Sequence, residues 1–186
     1  MAPRVIILGR QGAGKGTQCA RLVSEYGIVH VSTGDMLRAA VAAGTELGKK
    51  AEAIMASGGL VSDDIMNGIV AERLAEDDIT ENGVLLDGFP RTVVQAEALE
   101  QIFAEQNVEL TATINVDVPL EEVTARMMAR GRDDDNEEAI AERLRNYEEQ
   151  TAPLLDFYAE RHKLGVVDGL GSEDEVFGRV QGSLNL

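Results

Sequence analysis

Residues Gly9-Arg10-Gln11-Gly12-Ala13-Gly14-Lys15-Gly16-Thr17 carry the first chemistry met along the chain. Glycines let a backbone curl until its N–H groups point inward around a phosphate, and a helix opening at that point adds its dipole. Lys15 is placed to bridge the β- and γ-phosphates of a nucleotide. The usual loop of this kind puts Ser or Thr directly after the lysine. Here Gly16 intervenes, so Thr17 supplies the hydroxyl expected near Mg²⁺. The competing dinucleotide pattern G-x-G-x-x-G fails, because counting from Gly12 and Gly14 its third glycine falls on Thr17. The loop points to a nucleotide and leaves GTPase, ATPase and kinase open.

Two more segments repeat the theme of polar residues after a short apolar run. Ser32-Thr33-Gly34-Asp35-Met36-Leu37-Arg38 follows Val29–Ser32. Asp87-Gly88-Phe89-Pro90-Arg91-Thr92 follows Val84–Leu86. An acid at the end of an apolar strand is where such enzymes hold Mg²⁺, often through water, and Asp87 takes that role. Gly88 allows close backbone approach. Arg91 can grip a phosphate as a two-pronged fork, and Gln95, one helical turn on, can hydrogen-bond a base edge. Further along, Arg126, Arg130 and Arg132, then Arg143 and Arg145, concentrate positive charge. Arg126 and Arg130 share a helix face. Phosphoryl transfer spreads charge over the moving phosphoryl oxygens, so cations gathered there have a catalytic use. The acid run Asp133-Asp134-Asp135 is not a calcium loop, since Glu138 stands where that loop requires glycine.

These residues need a scaffold that brings separate loops together. Short β-branched runs at Val5–Leu8, Val29–Ser32, Val84–Leu86, Ala112–Val116 and Val166–Val167 read as strands. Helices are expected at Lys15–Tyr26 (closed by Gly27), at several places in 34–77 broken by Gly44 and Gly58-Gly59, at 93–106, at Leu120–Arg130, and from Glu137 to about Arg161, where Pro153 should kink or divide the helix. A last helix is expected from Ser172, an N-cap with Glu175 three residues on. Alternating strands and helices predict an α/β fold with a five-stranded parallel sheet covered on both faces. In such sheets ligands sit beyond the carboxyl ends of the strands.

Bulk composition limits the alternatives. The 186 residues fit one domain with a mobile appendage. The net charge of −16 argues against binding nucleic acid or anionic lipid. Cys19 is the one cysteine, which rules out an internal disulfide; with His30 and His162 it makes a structural zinc site improbable. No apolar run reaches the roughly 20 residues of a membrane span. A cytoplasmic monomer without membrane attachment is expected.

Taken together, Gly9–Gln18, Ser32–Arg38 and Asp87–Gln95 followed by Ala96-Glu97 resemble the adenylate kinase family, in order over essentially the whole chain. The resemblance implies a P-loop NTPase core (1–32, 62–128, 137–186), a helical monophosphate-binding part (33–61) and a short lid (about 129–136). It implies ATP + AMP = 2 ADP with Mg²⁺, and ATP, AMP and ADP as partners. ATP would meet Gly12, Ala13, Gly14, Lys15, Gly16, Thr17, Arg126, Arg130 and Gly171. AMP would meet Thr33, Arg38, Met55, Gly59, Leu60, Val61, Gly88, Phe89, Pro90, Arg91, Gln95, Arg132 and Arg143. Lys15, Arg91, Arg130, Arg132 and Arg143 would carry catalysis, and Asp134 and Asp135 would latch the closed lid. Longer relatives carry some thirty extra residues, sometimes with zinc, where only Gly131 separates Arg130 from Arg132; by that resemblance this chain looks like the short-lid type, without zinc. Gln11 replaces the proline of many relatives, and Gly59 a lysine or arginine. Two rival readings remain: a UMP/CMP kinase, against which Thr92 and Gln95 speak, and a module that binds ATP without transferring phosphate, against which the full arginine set speaks.

Overall fold

The structure is a computed structural model that describes residues 2–131 and 136–184. Five strands form one wholly parallel sheet: β1 (Arg4–Leu8), β2 (Val29–Ser32), β3 (Val84–Asp87), β4 (Ala112–Asp117) and β5 (Leu164–Asp168), in the order β2-β3-β1-β4-β5. A strand covered on both faces must be apolar on both. β1 meets that demand with alternate residues: Ile6 and Leu8 pack into one core, Val5 and Ile7 into the other. The first core is closed by α2 (Thr33–Ala42), α3 (Glu46–Ala56), α4 (Asp63–Leu74), α6 (Val93–Glu105) and α9 (Pro153–Glu160). The second is closed by α1 (Lys15–Tyr26), α7 (Leu120–Arg130) and α10 (Glu173–Leu184).

The topology fixes where a ligand can bind. β1 pairs with β3 on one side and β4 on the other, so the chain reverses direction across β1. A crevice must open there, beyond the carboxyl ends of the strands. Ile7 is level with Asp87, and Asp87 with Ser32, which puts all three motif loops at one edge.

Helix ends follow the chemistry of their residues. Ser32, Thr45, Thr92 and Asn136 accept a backbone N–H of the helix they precede, as N-caps do. Ser172 and Glu175 form a reciprocal capping box, with Ser172 N–H to Glu175 Oε2 at 2.8 Å and Glu175 N–H to Ser172 Oγ at 3.3 Å. α1 is different. Its cap is Gly14, left-handed at φ 91°, with no side-chain acceptor and no acid in the first turn. The positive end of that helix is not neutralised by its own residues.

Three elements depart from the sequence expectation. The short α5 (Asp77–Asn82) fills a stretch with no apolar period. The long helix expected over 137–161 is divided earlier than Pro153: α8 (Glu137–Asn146) passes into a π-helical turn, Tyr147–Thr151, before α9 begins at Pro153. Proline cannot donate to the ladder, and the wider turn absorbs the gap, with Ala152 N–H reaching Tyr147 O at 2.7 Å. β5 starts two residues before the Val166–Val167 run, at Leu164 and Gly165, because pairing with β4 recruits them. Among the described residues no helix is long and apolar enough to cross a membrane.

Candidate active site

A cavity of about 490 Å³ opens at the carboxyl edge of the sheet, a size suited to small ligands. Its floor is the loop between β1 and α1. Lys15 folds over that loop, its Nζ donating to Gly9 O at 2.7 Å and Arg10 O at 3.1 Å. Burial lowers the lysine's pKa, against the pull of Asp87. Gly12, Gly14, Gly16 and Thr17 line the same floor. Arg10 turns away, bonded to Glu148 at 2.6 Å and stacked over Tyr147, which ties the loop to the π-turn.

The wall comes from β3 and the segment after it. Burial would push the Asp87 carboxyl up, but His30, Lys15 and Arg91 outweigh that and hold it below the usual carboxylate range. His30 Nε2 lies 3.6 Å from Asp87 Oδ2, longer than a hydrogen bond. Gly88, at φ 82°, aims its carbonyl at two partners: Thr33 Oγ1 at 2.9 Å and Arg91 Nε at 2.8 Å. That pair of bonds locks Arg91 beside Thr33. Burial lowers the Arg91 pKa, with Arg143 and Arg38 adding repulsion and Asp87 opposing it. Arg143 bonds Met55 O at 3.4 Å, and Asn146 bonds Gly58 O at 3.2 Å, so α8 is joined to the end of α3 across the cavity.

Most of the sequence-expected residues converge here. Thr33, Arg38, Met55, Gly59, Leu60 and Val61 line one side; Gly88, Pro90, Arg91, Gln95 and Arg143 the next; Arg126 and Arg130 the loop side. Arg126 is paired with Glu122 at 2.7 Å, and a methyl on Gly14 would stand 3.9 Å from its Nη1, so it lies beside the phosphate loop. Among the described residues, three expected ones do not line the cavity. Ala13 packs into the sheet core, and its N–H is spent on Arg10 O at 3.1 Å. Phe89 is 1% exposed and belongs to the other core. Gly171 sits at the capping box of α10, where a methyl would meet Glu175 Oε2. Arg132, Asp134 and Asp135 lie outside the described residues. Sequence reading missed His30, Asn146, Tyr147 and Thr151, all cavity-lining. His30 lies two residues before Ser32 on a strand ending at the site, which was a usable signal. The other three come from α8 and the π-turn and have no local one.

A phosphate loop without a functional partner could belong to many enzymes. Comparison with known proteins decides among them. The family model described as Adenylate kinase matches residues 7–163. A relative from Stenotrophomonas maltophilia (strain R551-3), named Adenylate kinase, is 48% identical over 181 residues, covering 95% of this chain and 96% of its own. One of the same name from Parvibaculum lavamentivorans is 48% identical over 190 residues, covering 98% and 92%. Another from Xanthomonas campestris pv. campestris (strain B100) is 48% identical over 181 residues, covering 95% and 96%. The chain belongs to the adenylate kinase family. It is a phosphotransferase, a nucleotide kinase that interconverts ATP and AMP with ADP. The parallel five-stranded sheet agrees with the P-loop NTPase fold of that family.

The residues present suit Mg²⁺. The ion prefers oxygen ligands and keeps several waters. Asp87 offers an ionised, cavity-lining carboxylate, and the Thr17 hydroxyl lines the same cavity. Cys19, His30 and Asp87 bring one ligand atom each within 4.8 Å of one another, but the cysteine is wholly buried. Burial pushes its thiol pKa far up, so it offers no thiolate near neutral pH.

Proposed function

We propose that the cavity holds ATP on the α1 side and AMP on the α2–α3 side, with the γ-phosphoryl group transferred between them over Lys15 and Arg91. The observation that carries this is the convergence of Lys15, Asp87, Arg38, Arg91, Arg130 and Arg143 on one cavity in a chain of net charge −16. Backbone N–H groups of the loop, with the unneutralised end of α1, would cradle the ATP phosphates. Arg126 and Arg130 would hold the ATP side. Arg38, Arg91 and Arg143, joined by Arg132, would bind the AMP phosphate.

The AMP phosphate oxygen attacks the γ-phosphorus in line. One P–O bond forms and the bond to the β-phosphate oxygen breaks, leaving two ADP. That oxygen is already anionic, so no general base is required. Catalysis is positioning together with charge stabilisation. Asp87, with Thr17 nearby, would hold Mg²⁺, which supplies charge neutralisation on the phosphate oxygens. Water must be kept out, since it would compete as acceptor. Residues 33–61 would close over AMP and residues 129–136 over ATP, with Asp134 and Asp135 latching the latter. The working form would be a monomer in the cytoplasm, without zinc.

The test uses purified protein, Mg-ATP and each nucleoside monophosphate in turn, following diphosphate production. Turnover with AMP and little with UMP, CMP or GMP is expected. Turnover mainly with UMP or CMP would overturn the base assignment to Gln95. No turnover with any acceptor, in folded protein that binds ATP, would overturn the assignment of the arginines to catalysis.

A further inference from the structure

Gln95 lines the cavity yet is only 2% exposed, and both ends of its amide are engaged from behind. Its Oε1 accepts the Arg91 N–H at 2.7 Å. Its Nε2 donates to Asp63 Oδ1 at 2.8 Å. Asp63 opens α4 and does not line the cavity. The same Oδ1 accepts the Thr92 hydroxyl at 3.1 Å, and Thr92 Oγ1 in turn caps α6 by accepting Gln95 N–H at 3.2 Å. Asp63, Thr92 and Gln95 thus form one closed network that pins the start of α4 to the start of α6.

The chemistry of the partners fixes which end of the amide is which. A peptide N–H can only donate, so the atom facing Arg91 N must be the oxygen. Asp63 Oδ1 already accepts the Thr92 hydroxyl, so it serves as an acceptor and the amide atom facing it must be the nitrogen. After these two bonds each end keeps one valence: a lone pair on Oε1 and a hydrogen on Nε2. One acceptor beside one donor, in fixed order, matches a purine edge that offers a 6-amino donor and an N1 acceptor. Turning the amide over would match the opposite edge, a 6-oxo acceptor and an N1–H donor.

We propose that Asp63 is a positioning residue for base selection, holding the Gln95 amide in the one orientation that accepts a 6-aminopurine and refuses a 6-oxopurine. This rests on the reading that places the AMP base at Gln95. Asp63 touches no substrate and acts through Gln95. A site built to pair a hydrogen-bonding edge rejects the mismatched edge strongly, because its own buried groups are left unpaired. Without Asp63 the Arg91 N–H alone resists the turn, and the rejection weakens.

The experiment compares kcat/KM for AMP with kcat/KM for IMP at saturating Mg-ATP. It uses the wild type, Asp63→Leu, Asp63→Asn and Gln95→Leu. Leucine has nearly the shape of aspartate and no acceptor; asparagine keeps one oxygen that can receive Gln95 Nε2. The AMP-to-IMP ratio is expected to fall by about tenfold or more in Asp63→Leu. KM for ATP should stay unchanged, and Asp63→Asn should restore most of the ratio. A merely structural role would lower both substrates together and leave the ratio where it was. An unchanged ratio in folded Asp63→Leu, with the ratio lost in Gln95→Leu, overturns the positioning role alone. An unchanged ratio in Gln95→Leu itself overturns the underlying placement of the base. Should Asp63→Leu not fold, Asp63→Ala carries the same expectation.

Discussion

Replacing Gly88 by alanine tests the proposed AMP side of the cavity through its backbone. Gly88 holds φ 82°, and a methyl there would stand 2.9 Å from Thr33 Oγ1 and 3.1 Å from Arg91 Nη2. A left-handed conformation at a non-glycine residue costs about 1–3 kcal/mol. Displacing the Thr33 hydroxyl from Gly88 O removes a hydrogen bond worth about 1 kcal/mol. Together these give a loss of about 2–4 kcal/mol, which for a chain of this size lowers Tm by roughly 4–16 °C. The same methyl pushes both Thr33 and the Arg91 fork, and a displacement near 1 Å of a positioning group costs about 10²-fold in rate. The control is Gly68→Ala. Gly68 lies in α4 with nothing within 4 Å of its added methyl. There alanine relieves backbone entropy and should stabilise by about 0.5–1 kcal/mol with activity unchanged. The assay is thermal unfolding of both variants, with kcat/KM for AMP at saturating ATP and the KM for ATP. Gly88→Ala with wild-type Tm and wild-type kcat/KM for AMP would refute the claim that Gly88 O sets the position of Thr33 and Arg91.

Two further outcomes follow from the buried Cys19 and the partly buried Asp87. Cys19 is wholly buried, and burial holds its thiol neutral; a thiol reagent at pH 8 should titrate no sulfhydryl in the native protein and one in guanidinium chloride. Prompt native reaction would contradict the packing behind the phosphate loop. Asp87 is held below the ordinary carboxylate value, so its contribution to stability is present above about pH 3.9 and is lost only as pH falls through its lower folded value. The Tm difference between wild type and Asp87→Asn should therefore not shrink from pH 7 to about pH 4 and should shrink below that. Turnover by Asp87→Asn should fall steeply, as the proposed holding of Mg²⁺ by this carboxylate requires. A difference that already shrinks near pH 6 would show that His30, Lys15 and Arg91 do not stabilise the ionised form.

The parts of the site that were legible in the sequence are those written within one strand–loop–helix. The span of α1 from Lys15 to its left-handed Gly27 was legible because lysine, apolar period and glycine stop are adjacent in sequence. Asp87 and Arg91 were legible for the same reason. What escaped depends on contacts between distant segments. Asp63 meets Gln95 across 32 residues, and Thr151 donates to Arg91 O across 60. No local pattern announces either. The π-turn escaped because a proline predicts that a helix must yield, without saying which preceding turn does so. Ala13 and Phe89 were placed among the ligands as members of a contiguous motif. Both are motif residues whose side chains serve the core, and neither lines the cavity.

The surplus of acids makes a prediction about salt that ordinary surface pairing would reverse. The chain carries 33 acids against 17 bases, a net charge of −16. Two effects of salt oppose each other. Close pairs such as Arg73–Asp78 at 2.7 Å and Arg161–Glu100 at 2.6 Å lose attraction, but exposed pairs are worth about 0–1 kcal/mol each to begin with. Screening at 1 M, where its length is roughly 3 Å, removes much of that attraction, but the amount at stake is small. Repulsion among the unpaired carboxylates acts over longer distances, and a change from about 30 Å screening at 0.01 M to about 3 Å at 1 M removes most of it. Relief of repulsion therefore wins. Tm should rise by at least about 3 °C between 0.01 and 1 M NaCl, equivalent to roughly 1 kcal/mol. Tetramethylammonium chloride should give a similar rise, because screening does not depend on which cation supplies it. A rise with sodium alone would point to a specific cation site. A steady fall with both salts would mean that the surface pairs, rather than the surplus acids, govern the electrostatic stability of this kinase.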